Sequence, residues 1–269
     1  MNKIIANPKS HDTTVVLTYF EILNYYYLSD PDTAIVICKK AEVISERLNY
    51  QNGKSESYAW LGYLNQGKGN IALSLEYSNK SLKNFKEIGD KKAIATALGN
   101  IGFIYKEQGI LKEALDYYNR SIKLYEEIGY QLGLATAFGN IGDIYEKQGK
   151  TKESLDYHHR SLKIDEEIGD KKGIATSLTR IGMIYYNQGK IKEALDYYKR
   201  SLTIQIEIGD KKGIAISLKN MGIIHNDRGE LMEALEYGLK SLTISEEIGY
   251  PDNISQASSL LSEVYQKQG

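Results

Sequence analysis

One cysteine, three prolines, four histidines and one tryptophan are spread over 269 residues. The lone thiol, Cys38, excludes an intrachain disulfide and leaves the redox compartment unassigned. Pro8, Pro31 and Pro251 all stand outside the regular part of the chain. A nearly all-helical protein requires this, because proline removes a backbone donor and clashes with the preceding turn. Excess charge is missing too: 34 Lys and Arg face 35 Asp and Glu, a formal net charge of −1. That balance gives no electrostatic reason to expect nucleic acid or an anionic membrane as partner. No apolar run approaches the roughly 18–20 residues of a membrane span. The opening MNKIIANPKSHD has too short an apolar stretch for a secretory signal. A cytoplasmic location is the expectation, or a periplasmic one if a signal or membrane segment has been removed.

What the chain has in abundance is repetition. GNIGFIYKEQG at 99–109 returns as GNIGDIYEKQG at 139–149, TRIGMIYYNQG at 179–189 and KNMGIIHNDRG at 219–229, a period of 40. A second ladder, Ile-Gly followed by Asp or Tyr, starts at Ile88, Ile128, Ile168, Ile208 and Ile248. An array of fixed period buries its core between neighbouring repeats, so length measures repeat number and not domain count. Within one period Ile94, Leu98, Ile101 and Tyr105 form one helical stripe, and Ala114, Tyr118, Ser121, Ile122 and Tyr125 form another. The unit is therefore two amphipathic helices. Gly89 and Gly109 suit the left-handed conformation that closes a helix, Asp90 suits the cap of the next, and Glu113, Glu153, Glu193 and Glu233 suit the first turn of each second helix.

The series Ile101, Gly102, Tyr105, Gly109, Ala114, Tyr118, Ser121 resembles the tetratricopeptide repeat. It recurs with Ile141, Gly142, Tyr145, Gly149, Ser154, His158, Ser161, then Ile181, Gly182, Tyr185, Gly189, Ala194, Tyr198, Ser201, then Met221, Gly222, His225, Gly229, Ala234, Gly238, Ser241. The usual unit has about 34 residues, so this array is similar to the longer-helix subclass of kinesin light chains and of the sensory regions of bacterial signalling proteins. The resemblance implies an all-α right-handed superhelix, a solenoid of helical hairpins. It divides the chain into a tail at 1–10, six repeats at 11–50, 51–90, 91–130, 131–170, 171–210 and 211–250, and a single helix at 251–269. The first two repeats are degenerate: the first keeps Tyr25, Ala34 and Ala41 but has Glu21 and Ile22 at the Leu-Gly position. The last helix stops at Gly269, where a second helix normally follows, and reads equally as a solvating cap or as a cut through a longer protein.

The family pattern places Gly102 and its equivalents where two helices approach closely. Gly99 and Gly139 have no counterpart in that pattern and fall on the face that lines the groove of such arrays. The same resemblance sets Asn100, Asn140 and Asn220 beside them, to hold a peptide backbone through an amide that donates and accepts at once. Tyr63, Phe103, Met183, Tyr186 and Ile223 would supply apolar anchors, and Arg180, Lys219 and Asp143 would set charge preference. The competing account is that the asparagines bond neighbouring helices and the glycines are relics of duplication.

No phosphate loop, zinc spacing or nucleophile elbow occurs, so no catalytic residue, cofactor or metal is expected. His158 and His159 are adjacent and point about 100° apart on a helix, which makes a poor metal pair; His158 reads as a core residue, as does Cys38. The expected function is non-catalytic recognition of a protein or extended peptide, with a self-assembly module acting through groove or terminal helices, or a consensus-like designed array, as the alternatives.

Overall fold

The computed structural model describes residues 13–27 and 29–269, and the N-terminal tail at 1–10 lies outside them. Among the described residues there are thirteen α-helices and no strand. They are α1 (Thr14–Tyr26), α2 (Pro31–Arg47), α3 (Gln51–Gly67), α4 (Ile71–Ile88), α5 (Lys91–Glu107), α6 (Leu111–Ile128) and α7 (Gln131–Lys147). Then follow α8 (Thr151–Ile168), α9 (Lys171–Asn187), α10 (Ile191–Glu207), α11 (Lys211–Asp227), α12 (Leu231–Glu247) and α13 (Pro251–Gln268). They fall into two compact units, one ending at Gly133 and one spanning Leu134–Gly269, with the division in the first turn of α7. In the first unit every helix packs on the next in sequence, and in the second so do α8 to α13, with α8 bonded to α7 through Ser161; α3 also meets α5 in the first unit, and in the second α9 meets α11 and α11 meets α13. The first helices of successive hairpins thus stand side by side within a unit.

Local chemistry sets the helix ends. At Gly89 φ is +82°, and Asp90 N–H reaches back to Phe85 O at 3.2 Å, closing α4. Asp90 then accepts from Ala93 N–H at 3.0 Å and starts α5. The equivalent turn after α2 uses Asn49 at φ +51°, the residue that tolerates this conformation best after glycine.

Hairpins are pinned by a serine ladder. Ser121, fully buried, donates to Ala95 O at 2.7 Å, and Ser161, Ser201 and Ser241 donate to Ala135, Ala175 and Ala215 O at 2.9, 2.7 and 2.8 Å. The hydroxyl satisfies itself while keeping the helices close, which explains a small polar residue at a core register. Close approach also depends on Gly102, where a Cβ would lie 3.3 Å from Ala114 O and from the Tyr118 ring. The missing aromatic at Gly238 is made good by Leu261 of α13, which would stand 2.8 Å from a Cβ there.

The first hairpin departs from the repeat pattern. Tyr25, aligned by sequence with the half-buried Tyr105, is 78% exposed. Tyr27, just past the end of α1, packs on the core in its neighbourhood instead. Cys38 is buried in that core and burial pushes its thiol up to about 12, so it behaves as a small apolar side chain.

Candidate functional site

In the first unit the helices α1, α3 and α5 border an open pocket of about 300 Å³ lined by Asn24, Tyr27, Ala59, Trp60, Tyr63 and Asn100. Three rings form its wall. Tyr27 meets Trp60 edge-on at 5.7 Å, Trp60 meets Tyr63 edge-on at 6.0 Å, and Tyr27 and Tyr63 are 6.2 Å apart. Each ring fixes the next at distances typical of favourable aromatic pairs. Tyr63 stays 49% exposed, so its face is open to a visitor, and burial of its hydroxyl end together with Tyr27 pushes its phenol pKa up. Asn100 is exposed at the pocket and also borders, with Phe103, a water-sized cavity of about 30 Å³ against Gly62. Of these residues the sequence pattern singles out Tyr63, Asn100 and Phe103. Trp60 stands at the register of Asn100, Asn140, Arg180 and Asn220 but is an aromatic where those are polar, and Tyr27 has no aromatic counterpart in the later repeats; the visible signal was the Trp60 and Tyr63 pair, one helical turn apart in α3.

Gly99 and Gly139 lie differently from the sequence expectation. The resemblance sets both on the groove face, yet a Cβ at Gly99 would sit 3.6 Å from Ser121 Oγ of the second helix, and one at Gly139 3.6 Å from Ser161 Oγ. That is ordinary contact with no crowding. At the same register of α9, Thr179 Oγ1 and Ser201 Oγ are 2.8 Å apart. Alanine at position 99 or 139 is therefore expected to raise stability by about 0.5–1 kcal/mol through helix propensity, read in a denaturant titration. A loss of stability would mean that the missing side chain serves packing after all.

In the second unit Asn140 is half-buried and its Nδ2 donates to Thr136 O of its own helix at 3.0 Å, while Asn220 is half-buried on α11. Four other expected groove residues are engaged by the protein itself. Lys219 is only 9% exposed and donates to Gln256 of α13; burial lowers its pKa. It is not the free charge that the sequence suggested, because α13 covers the end of its side chain. The Tyr186 hydroxyl donates to Asp227, and burial together with that carboxylate pushes it up to about 12. Met183 packs on the cluster of Ala194, Tyr198, Met221 and Ile224, and Ile223 on that of Ala234, Leu260 and Val264.

Asp143 and Arg180 do form a charged pair on the first helices, with Arg180 Nε 3.4 Å from Asp143 Oδ1. The same oxygen lies 3.7 Å from Nε2 of His158, which is 1% exposed on α8. Glu146 completes the group: the ligand atoms of Asp143, Glu146 and His158 lie within 4.8 Å of one another. Burial pushes the Glu146 carboxyl up, Arg180 pulls it down and Asp143 adds a smaller upward push.

An all-α array of hairpins carrying an open aromatic pocket has the architecture of an interaction scaffold. The tetratricopeptide repeat model matches residues 54–127 and 133–207, more than half of the sequence, and the chain belongs to the tetratricopeptide repeat family. No curated protein matches the chain significantly. Solved structures do. BtubC (BKLC) from P. vanneervenii is 17% identical, covering 82% of this chain and 93% of its own, with a TM-score of 0.69. Aspartyl phosphate phosphatase F from Bacillus subtilis is 16% identical over 91% of this chain and 64% of its own, with a TM-score of 0.71. The STAND protein with a tetratricopeptide repeat sensor, PH0952 from Pyrococcus horikoshii, is 18% identical over 100% of this chain and 42% of its own, with a TM-score of 0.72. At these identities the likeness shows the fold alone, an α-α solenoid. No described helix is long and apolar enough to cross a membrane.

Proposed function

We propose that this chain is a peptide-binding scaffold whose first unit receives an apolar or aromatic side chain of an extended segment in the pocket walled by Tyr27, Trp60 and Tyr63. Asn100 bonds the main chain of the same segment beside that pocket. The observation that carries this is the combination of an open, apolar, roughly 300 Å³ hollow with two amides, Asn24 and Asn100, at its lining. Such pockets bury one side chain as an anchor and leave orientation to a few polar groups. In the second unit Asn140 and Asn220 offer the same amide chemistry on first helices, and the Asp143 and Arg180 pair gives that surface a mixed charge preference. The partition into six 40-residue repeats and a terminal helix follows the same reading.

The likeness to an aspartyl phosphate phosphatase and to the sensor of a STAND protein favours a place as the sensory or interaction region of a bacterial signalling protein. Because Trp60 is the sole tryptophan, its emission reports on the pocket directly. Peptides selected on the full chain from a random display library are expected to shift that emission on binding. Tyr63→Ala and Asn100→Ala should each weaken binding by about 5–30-fold, the loss of roughly 1–2 kcal/mol of anchor and hydrogen-bond energy, and Asn100→Ala should do so with an unchanged melting temperature. Selected peptides that bind both variants as tightly as the parent would dismiss this site.

A further inference from the structure

The array breaks its own pattern at one place with three residues at once. Where Asp143 stands, the equivalent registers hold Phe103, Met183 and Ile223; where Glu146 stands, they hold Lys106, Tyr186 and Asn226; where His158 stands, they hold Tyr118, Tyr198 and Gly238. Nothing in the packing of a hairpin asks for two acids and an imidazole, since the other hairpins pack without them. Yet the three departures occur together, and α7 and α8 bring their ligand atoms within 4.8 Å of one another.

From this we infer that Asp143, Glu146 and His158 form a binding site for a first-row divalent transition-metal ion. Asp143 and Glu146 are three residues apart on α7, one turn of helix, so their side chains leave from the same face. His158 reaches them from α8 with its ring lying over Gly142, where a Cβ would stand 2.8 Å from Cε1 and Nε2. That glycine leaves room for the imidazole, whose Nε2 lies against α7. An imidazole is shorter than the phenols of Tyr118 and Tyr198 at the same register of the neighbouring hairpins.

Donor type and charge agree with such an ion. One imidazole nitrogen and two carboxylate oxygens are the mixed set that zinc and its neighbours accept, with a further position left for water or a partner's side chain. Donors around a tetrahedral ion with bonds of about 2.0–2.2 Å stand roughly 3.4 Å apart. The His158 to Asp143 distance, 3.7 Å, is already close to that, and side-chain rotation of Glu146 closes the rest. Two carboxylates and a neutral imidazole carry a charge of −2, which a divalent ion cancels in full. Arg180 supplies only one positive charge and, with a side chain 43% exposed, is free to swing into solvent when the ion enters.

The full chain, stripped with a chelator and titrated with Zn²⁺ and with Co²⁺, tests this. A single saturable equivalent is expected, with a visible Co²⁺ absorption band and a melting temperature raised by Zn²⁺. His158→Tyr, which restores the residue of the neighbouring hairpins, should abolish all three signals. Asp143→Asn and Glu146→Gln should each weaken binding by more than the ~10–100-fold loss typical of an outer-shell partner. His159→Ala, altering the exposed neighbour, should change nothing. Absence of saturable uptake, or uptake that survives both carboxylate variants or His158→Tyr, overturns the site. The probe is the metal alone, so the result is independent of whether a peptide binds the first unit.

Discussion

Gly182→Val is expected to destabilise the second unit by about 2–3 kcal/mol, at the upper end of the cost of overfilling a packed core. A Cβ at position 182 would already lie 3.0 Å from Cδ1 and Cε1 of Tyr198 and 3.3 Å from Cβ of Tyr197. Tyr198 is fully buried and rests in a cluster with Ala194, Met221 and Ile224, so its ring has nowhere to retreat. The two methyls of valine must therefore push α9 and α10 apart, which also strains the 2.7 Å bond from Ser201 to Ala175 O. Against this stands a gain in helix propensity of a few tenths of a kcal/mol over glycine, too small to change the sign. Equilibrium denaturation followed by circular dichroism reads the effect. A midpoint equal to that of the parent would show that the two helices are not held at the separation described above.

Asp165→Asn should act in the other direction, and only at neutral and alkaline pH. Asp165 is buried on α8 at the register where neighbouring hairpins carry Tyr125 and Gln205. Its carboxyl lies over Gly173, and burial, reinforced by Asp170, pushes it up from 3.8 to about 6, while Ser161 and Ser177 pull it down less strongly. The folded chain thus binds this proton more tightly than the unfolded chain does. The contribution of Asp165 to stability is consequently greatest below about pH 4 and declines as pH rises to about 6, above which the full cost of the buried carboxylate is present. An asparagine carries no such cost. At pH 8 the variant is expected to be more stable by about 1–2 kcal/mol, less than the full linkage value because water and nearby dipoles relax around the charge. At pH 4 the two proteins should converge. Gln205 shows that an amide fits this register, since its Oε1 accepts from Ser217 at 2.8 Å. Parallel stability differences at pH 4 and pH 8 would mean that the carboxyl titrates normally.

Much of this protein could be read without coordinates, and the residues show why. A helix end such as Gly89 followed by Asp90 is a local matter, settled by backbone sterics and a cap within a few residues. The packed stripe of Ile94, Leu98 and Ile101 is local too, because helical periodicity fixes which side chains share a face. Gly99 and Gly102 show the limit: both were visible as anomalies, but the serine facing one and the tyrosine facing the other belong to the next helix.

The sequence by itself determined a helical array of period 40, the turns that punctuate it and the faces each helix buries, since all of these rest on interactions within one helix or one turn. Tertiary structure alone decided which exposed-looking side chains are free. Lys219 is taken by Gln256, 37 residues away, and Tyr186 by Asp227, 41 residues away. It likewise decided that Tyr27 joins Trp60 and Tyr63, and that Asp143, Glu146 and His158 converge. Such encounters depend on how neighbouring helices are offset and rotated against one another, a quantity that periodicity within a helix does not encode.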